Sequence, residues 1–331
     1  MRNCLGKIIY AFIERFPDGS PTPCAYIRII NKYSSDPLLD FRLIQVQEQI
    51  GQITDRTEVV VHRSAISCPL EAKRLISFCE KQQIGLIYDL DDDLPALAKT
   101  GKHPHLTFAQ PAIELFIKEA KLMTVSTPVL LNRYRGAAKE IILIDNTLSR
   151  KHWGLIEPNK TTIRSPFRIL YMGTSTHEED YLLIVDALES IHREFNQEIS
   201  INFMGVTNSK LPNWINRINL GNNSHNYPAF VNTLRASHTR LYQIGLAPLV
   251  DNYFNKAKSD LKFLDYTALG CTTIASNIDC YNKTITNGGN GFLAEANHES
   301  WYRAIKCILT DAKTADLLYV NAFEALKKRI T

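Results

Sequence analysis

Lys258, Lys262 and Asp265 stand at helical spacing within KAKSDLKFLDYTALGCTTIAS, residues 256–276. Two ammonium groups beside a helix start suit a diphosphate, because the first N–H groups of a helix are unpaired and its dipole favours an anion. Asp265, two turns beyond Lys258, has the reach to accept hydrogen bonds from a sugar diol. Ser259 and Asp260 belong to the helix start, which the pattern puts near Ser259. Leu261, Leu264, Ala268 and Leu269 fall on an inward side, so the same stretch also reads as a half-buried helix with solvated lysines. Gly270 closes it before the β-run CTTIAS.

A second cluster follows the apolar run FRILYMG, where Gly173, Thr174, Ser175, Thr176 and His177 lead into a helix. A glycine turn with hydroxyls at the carboxyl edge of a strand can cradle a phosphate. The same residues also describe an ordinary turn, with Thr176 as cap and Glu179 three residues on. There is one glycine here and no GxGxxG.

The third cluster is YDLDDD, which puts Asp89, Asp91, Asp92 and Asp93 at the end of a strand. Neighbouring carboxylates repel, so a metal, a lysine, ligand hydroxyls or solvent must offset the cost. A carboxylate facing a ligand can orient an acceptor hydroxyl or take its proton. Asp89-Leu90-Asp91 also reads as a three-residue DxD. In SPTPCAYIRI, a loop entering a helix brings Tyr26 and Arg28 towards the same edge, and His62-Arg63 closes EVVVHRS. His103-Pro104-His105 reads as a loop pair without the cysteine partners of a zinc site. No GxSxG, HExxH or Walker A motif is present.

The elements that must position these residues form two alternating series. KIIYAFI, FRLIQVQ, EVVVHRS, GLIYDLD, LMTVST and EIILIDN are β-rich and separated by helical stretches, which is the order of an α/β domain with a parallel sheet. A polar stretch near 150–166 reads as a linker. The alternation then resumes with FRILYMG, a helix over about 178–194, EISINFMG, a helix near 227–237, QIGLAPLV, CTTIAS and two closing helices over 298–330. The expected domains are 1–155 and 156–331, with the last helix able to pack back on the first, and a ligand cleft between the two. A chain of 331 residues accommodates two domains, and its 45% hydrophobic and 22% charged residues are those of a soluble globular protein. A net charge of +4 suits an anionic ligand or an acidic membrane surface and is too weak for nucleic acid. Cys4, Cys24, Cys68, Cys79, Cys271, Cys280 and Cys307 form no CxxC pair and read as reduced, buried thiols. With no signal-like or membrane-spanning run, a cytoplasmic protein is expected.

Taken in order, these segments resemble the family-four glycosyltransferases of the GT-B fold, particularly bacterial enzymes of surface polysaccharide synthesis. IGLAPLVDNYFNKAKSDLKFLDYTALGCTTIASNIDCYNKTITNGGNGFLA, residues 244–294, is similar to the family's donor-site block, and YMGTSTHEED to the first turn of its donor domain. YDLDDD, SPTPCAYIRI and the crossover at Asp145-Asn146-Thr147 fit its acceptor domain. The chain departs from the family where two glutamates normally stand eight positions apart. Ala257 occupies the first position and Asp265 the second, and the usual Arg/Lys pair gives way to Thr174–His177.

The resemblance implies two Rossmann-like domains facing each other across a cleft and sugar transfer from a nucleotide sugar to an acceptor hydroxyl, with retention. It implies donor binding by Gly173, Thr174, Ser175, Thr176, His177, Lys258, Ser259, Asp260, Lys262 and Asp265. Acceptor binding falls to Tyr26, Arg28 and Asp89, and catalytic roles to Asp91, Asp92 and Lys258. Diphosphate stabilisation by lysines and N–H groups implies no metal and no cofactor beyond the donor. The implied partners are a nucleotide sugar and a glycan or lipid-linked acceptor, with peripheral docking to the inner membrane face allowed by the charge. The departure at Ala257 motivates a different class as well, a non-catalytic nucleotide-sugar or glycan-binding subunit. An epimerase on the same fold would act without an acceptor.

Overall fold

The strand-like runs of the first half pair only with one another, and so do those of the second. The computed structural model describes residues 6–154, 166–174, 177–219, 221 and 226–331. It divides into two compact units, Met1–Asn146 with Ala257–Ser259, and Thr147–Lys256 with Asp260–Thr331.

In the first unit β1 (Lys7–Phe12), β2 (Leu39–Ile44), β3 (Thr57–His62), β4 (Gly85–Leu90), β5 (Leu122–Val125) and β6 (Ile141–Leu143) form a parallel sheet in the order β2-β1-β3-β4-β5-β6. β1, β3 and β4 are near-continuous apolar runs because both of their faces are covered. A helical segment over 23–34 follows β1, with α1 (Pro23–Ala25) and α2 (Asn31–Ser34) at its ends and a π-helical middle, Tyr26–Ile30. Thr22 Oγ1 caps it and Pro23 opens it, as the fixed φ of proline favours. α3 (Pro69–Lys81), α4 (Leu94–Ala98), α5 (Pro104–Glu119) and α6 (Pro128–Tyr134) complete the layers. The strand order reverses between β1 and β3, so their carboxyl ends diverge at a switch point, the place where open α/β sheets bind ligands.

In the second unit α7 (Arg150–Trp153) precedes β7 (Phe167–Gly173), α8 (Glu178–Leu182), α9 (Val185–Phe195), β8 (Ile199–Gly205) and β9 (Ile215–Ile218). α10 (Tyr227–His238), β10 (Ile244–Ala247), α11 (Leu261–Leu269), β11 (Thr272–Ser276), α12 (Asp279–Asn282), β12 (Phe292–Ala294), α13 (His298–Thr310) and α14 (Ala312–Lys327) follow. The parallel order β12-β11-β10-β7-β8-β9 is the Rossmann arrangement, and it reverses between β7 and β10. Trp301, Ile305 and Ile308 of α13 pack with Leu188 and Ile191 of α9 against β7, β8 and β10. α14 belongs to this unit, where Thr272 Oγ1 donates to the Ala315 carbonyl. The Rossmann-like pair of α/β sheets expected from the alternation is therefore present.

Several local expectations change. His103 caps α5 and Pro104 is its first residue, so His105 is helical rather than in a loop. Residues 150–153 of the expected linker are α7, and Trp153 is buried; 155–165 lie outside the described residues. Cys79, Cys271 and Cys280 are buried free thiols, whereas Cys24, Cys68 and Cys307 are half-buried. α11 begins at Leu261 with Asp260 as its cap, so Lys258 precedes the helix and does not share a face with Lys262. No described helix is long and apolar enough to cross a membrane.

Candidate functional site

At the switch point of the first sheet, β1 runs out to Glu14, β3 to His62 and Arg63, and β4 to the aspartates. Arg63 adopts φ 54°, a left-handed conformation uncommon for a side chain of this size. Its backbone is fixed there by Arg63 N–H donating to the Asp89 carbonyl at 2.9 Å and by Tyr88 Oη donating to the Arg63 carbonyl at 3.0 Å. The guanidinium then reaches three carboxylates. Nη1 lies 2.5 Å from Asp91 Oδ1 and 3.1 Å from Asp92 Oδ2, while Nε sits 2.9 Å from Glu14 Oε2 in an ion pair whose N–H does not point at the oxygen. Ser64 Oγ donates to the other Glu14 oxygen at 2.6 Å.

Burial is the largest influence and opposes the charge on these acids, but Arg63 and the groups beside it together outweigh it. Asp91 is held well below the usual carboxylate range, and Glu14 is lowered as well. His62 is fully buried, and burial lowers its pKa, which keeps it neutral. Its Nδ1 accepts from the Glu14 N–H at 3.4 Å, and Nε2 is buried without a hydrogen-bond partner. Burial, and then Asp91, raise the Cys24 thiol well above its ordinary range, which argues against a nucleophilic thiolate.

Arginines therefore answer the repulsion within YDLDDD, and each carboxylate takes a different task. Asp89 accepts from Arg28 Nε at 3.1 Å, Arg28 Nη2 at 2.7 Å and Thr124 Oγ1 at 2.5 Å. Arg28 also donates to the Ile144 carbonyl and to Asn146 Oδ1, so this buried pair ties the segment after β1 to the ends of β4, β5 and β6. Asp93 caps α4 through the Ala96 N–H and accepts from Arg133 and Tyr134. Asp92 is the most open of the four, with 23% of its side chain exposed against 7% for Asp91. Tyr26 is half-buried in the π-helical turn. Both acids of the Asp89-Leu90-Asp91 triplet thus face guanidinium groups.

The segment 257–259 packs with this unit. Ala257 is fully buried in its core, and the Ala257 carbonyl accepts from Thr127 Oγ1 at 3.0 Å. Ser259 Oγ accepts from Asn146 Nδ2 at 2.9 Å. Lys258 between them is half-buried.

At the switch point of the second sheet, β7 ends in Gly173 and the turn leads to His177. A side chain at 173 would place its Cβ 2.7 Å from His177 Cδ2, so the imidazole occupies the space the glycine leaves. His177 Nδ1 lies 2.6 Å from Asp180 Oδ2, and Asp180 Oδ1 accepts from the Val250 N–H at 2.7 Å, which ties the exits of β7 and β10 together. Lys262 Nζ reaches this turn from α11. It lies 3.3 Å from His177 Nε2 and 5.3 Å from the Tyr171 ring centre, over the ring face. Thr174 is exposed on the turn; Ser175 and Thr176 lie outside the described residues.

α11 is locked beneath this edge by Tyr266. Its Oη accepts from the Met172 N–H at 2.8 Å and donates to the Leu246 carbonyl at 2.7 Å, joining β7 and β10. The ring fits because Gly245 has no Cβ, which would lie 2.2 Å from it. Next to it, burial pushes the Asp265 carboxyl up to about 7, with Lys262 pulling the other way. Asp260, by contrast, is fully buried and held by Arg329 and Thr284. Sequence reasoning passed over Glu14, Asp180 and the role of Arg63. Their signals were the carboxyl ends of β1 and β3 and the three-residue step from His177 to Asp180.

Residues 166–311 match the family model described as glycosyl transferases group 1. Sucrose-phosphate synthase from Thermosynechococcus elongatus superposes with a TM-score of 0.64 at 10% identity, over 98% of this chain and 94% of that one. Anabaena HepE, solved with UDP and glucose, gives 0.63 at 12% identity over 98% and 95%. A glycosyltransferase from Rickettsia africae gives 0.58 at 14% identity over 98% and 94%. At such identities the likeness is one of fold, and that fold is GT-B. No curated protein matched the sequence.

Proposed function

We propose, from a chain whose residues 166–311 carry the pattern of the group 1 glycosyltransferases, that it transfers a sugar from a nucleotide sugar to an acceptor hydroxyl. The observation that carries this reading lies at the strand-order reversal of the second sheet. There Lys262, His177 and the Gly173 turn gather where such sheets bind ligands, with Asp265 one turn along the same helix. Lys262 and His177 hold the diphosphate and stabilise its charge as the glycosidic bond breaks. Asp265 accepts the ribose hydroxyls. Lys258 and Ser259, in the segment just before α11, are further diphosphate ligands by their place in the family's donor-site block.

In the first unit, Asp91 and Asp92 orient the acceptor and Tyr26 helps to bind it; Arg28 and Asp89 hold the frame of that site. Transfer proceeds with retention, and it needs no strong protein base because the leaving phosphate accepts the acceptor proton. Arg28 and Arg63 already neutralise Asp89 and Asp91, which supports a metal-independent reaction. The UDP and glucose bound to Anabaena HepE support a nucleoside-diphosphate sugar as donor class. The acceptor is a glycan or lipid-linked sugar of surface polysaccharide synthesis.

The first test is thermal-shift screening with UDP, GDP, CMP and ADP, since a ligand that binds only the folded chain raises its melting point. Transfer from the matching nucleotide sugar follows, with and without EDTA. Activity surviving chelation is expected; full loss restored by manganese would sink the metal-independent mechanism. A second reading is favoured by Ala257, whose methyl is buried in the first unit where the family carries a glutamate. Tight donor binding without transfer or hydrolysis across a panel of acceptors would identify a binding subunit instead.

A further inference from the structure

The pairing of His177 with both Asp180 and Lys262 fixes where its protons sit. A carboxylate only accepts, so the contact of 2.6 Å to Asp180 requires the hydrogen on Nδ1. Asp180 cannot turn away, because its other oxygen holds the Val250 N–H. The acid–base state of the ring is therefore decided at Nε2. Lys262 Nζ stands 3.3 Å from that nitrogen, and an ammonium only donates. Nε2 must then be the acceptor, and the imidazole is neutral. The charged and titratable groups around it include Asp180 from its own helix, Lys262 from α11, which in turn acts on Asp265, and the buried phenol of Tyr171 from β7. Glu178 faces elsewhere, onto Ser209. The ring stands neutral between the Asp180 carboxylate and the Lys262 ammonium.

We infer that His177 is a proton-coupled cation of the diphosphate subsite, uncharged in the free protein and charged when the diphosphate is bound. Lys262 transfers its Nζ–H from Nε2 to a phosphate oxygen. The released Nε2 takes one proton from solvent and donates it in a hydrogen bond to the same diphosphate, while Nδ1–H remains on Asp180. No bond to carbon or phosphorus changes. The gain is electrostatic: the anion meets two cations in place of one, and Asp180, held by backbone, stabilises the imidazolium. Donor capture thereby becomes tighter as pH falls through the titration of the bound His177. This inference rests on the donor reading of the second unit.

The test is calorimetric titration of the full chain with UDP, and with GDP, CMP and ADP as alternatives, in two buffers of different ionisation heat near pH ~7. Wild type is compared with His177→Gln, which keeps a donor near Nε2 and cannot titrate; the nucleotide's own protons cancel in the comparison. Wild type is expected to take up more protons than the variant, approaching one per site. The ratio of the two Kd values should shift by up to about tenfold per pH unit between the pKa values of free and bound His177, and level off above the latter. If His177→Gln does not fold, nitrogen NMR of the wild-type histidine side chains gives the same answer, because one Nε2 must change from unprotonated to protonated on adding nucleotide. Binding with equal proton uptake in both proteins, or with no such change in the spectrum, overturns the inference and leaves the donor reading intact. Binding of no nucleoside diphosphate at all overturns both.

Discussion

Arg329 closes on both carboxylate oxygens of Asp260, with Nη1 to Oδ2 and Nη2 to Oδ1 at 3.0 Å each. Thr284 Oγ1 donates to the same carboxylate, and burial, which would raise the Asp260 pKa, is outweighed by Arg329, Thr284 and Lys283 together. The residue that opens α11 is thus a staple to the end of the second unit. Asp260→Ala is expected to cost about 3–5 kcal/mol of unfolding free energy, as breaking one side of a buried ion pair does. The pKa of Asp260 is depressed in the fold, so its stabilisation is present above the unfolded carboxylate value and lost as pH falls through the folded value. Urea unfolding should therefore show the gap between wild type and Asp260→Ala shrinking in acid. A variant as stable as wild type at neutral pH would refute the staple.

Tyr266 and Gly245 make a second structural prediction. Tyr266→Phe removes the partner of both the Met172 N–H and the Leu246 carbonyl, and each buried group left unpaired costs about 1–3 kcal/mol. Gly245→Ala would put a methyl 2.2 Å from the same ring and should destabilise by about 1–3 kcal/mol or more through overpacking. Because both changes act at the edge that carries Lys262, each should also weaken nucleotide binding. Denaturation midpoints and a UDP titration of both variants check this.

Periodicity carried most of the fold. β1, β3 and β4 are buried on both faces and so read as continuous apolar runs, whereas β9 is an edge strand containing Asn216 and Arg217, and β12 has three residues. Neither edge strand offers an alternation long enough to read. The candidate site was legible as a set of turns and less so as a set of partners. Lys262 and His177 were named from the order of motifs, and they meet across 85 positions. The sorting of the aspartates was hidden, because Arg28, Arg63 and Arg133 come from three distant segments and spacing along the chain does not encode such pairs. The spacing of Lys258 and Lys262 suggested a shared face, whereas the cap at Asp260 starts the helix only after Lys258.

Asp91 and Asp92 should separate under mutation. Asp91 is the buried member, gripped by Arg63 and held well below the ordinary carboxylate range against the effect of burial. Asp91→Asn leaves Arg63 short of a buried counter-charge and is expected to cost about 3 kcal/mol of stability. Asp92, nearer solvent, should change stability by less than about 1 kcal/mol as Asn while raising the acceptor KM roughly tenfold or more. UDP affinity should stay unchanged in Asp92→Asn. Steady-state kinetics with acceptor varied, beside a melting curve, distinguishes the two. Equal acceptor KM in wild type and Asp92→Asn would remove Asp92 from the acceptor site.

Asp265 should trade stability for binding. Burial pushes its carboxyl up to about 7, so between the unfolded carboxylate value near pH ~4 and that point the folded chain holds a proton the unfolded chain has lost. Stability therefore falls as pH rises across this window, and the full penalty remains above it. Asp265→Asn carries no such penalty and should gain melting temperature relative to wild type as pH increases. Binding runs the other way, because the ionised carboxylate is the form that accepts both ribose hydroxyls. The advantage of wild type over Asp265→Asn in UDP affinity should grow by up to about tenfold per pH unit below pH ~7 and level off above it. His177 is present in both proteins and cancels from the ratio. If Asp265→Asn binds UDP as tightly as wild type above pH ~8, the ribose is held by something other than Asp265.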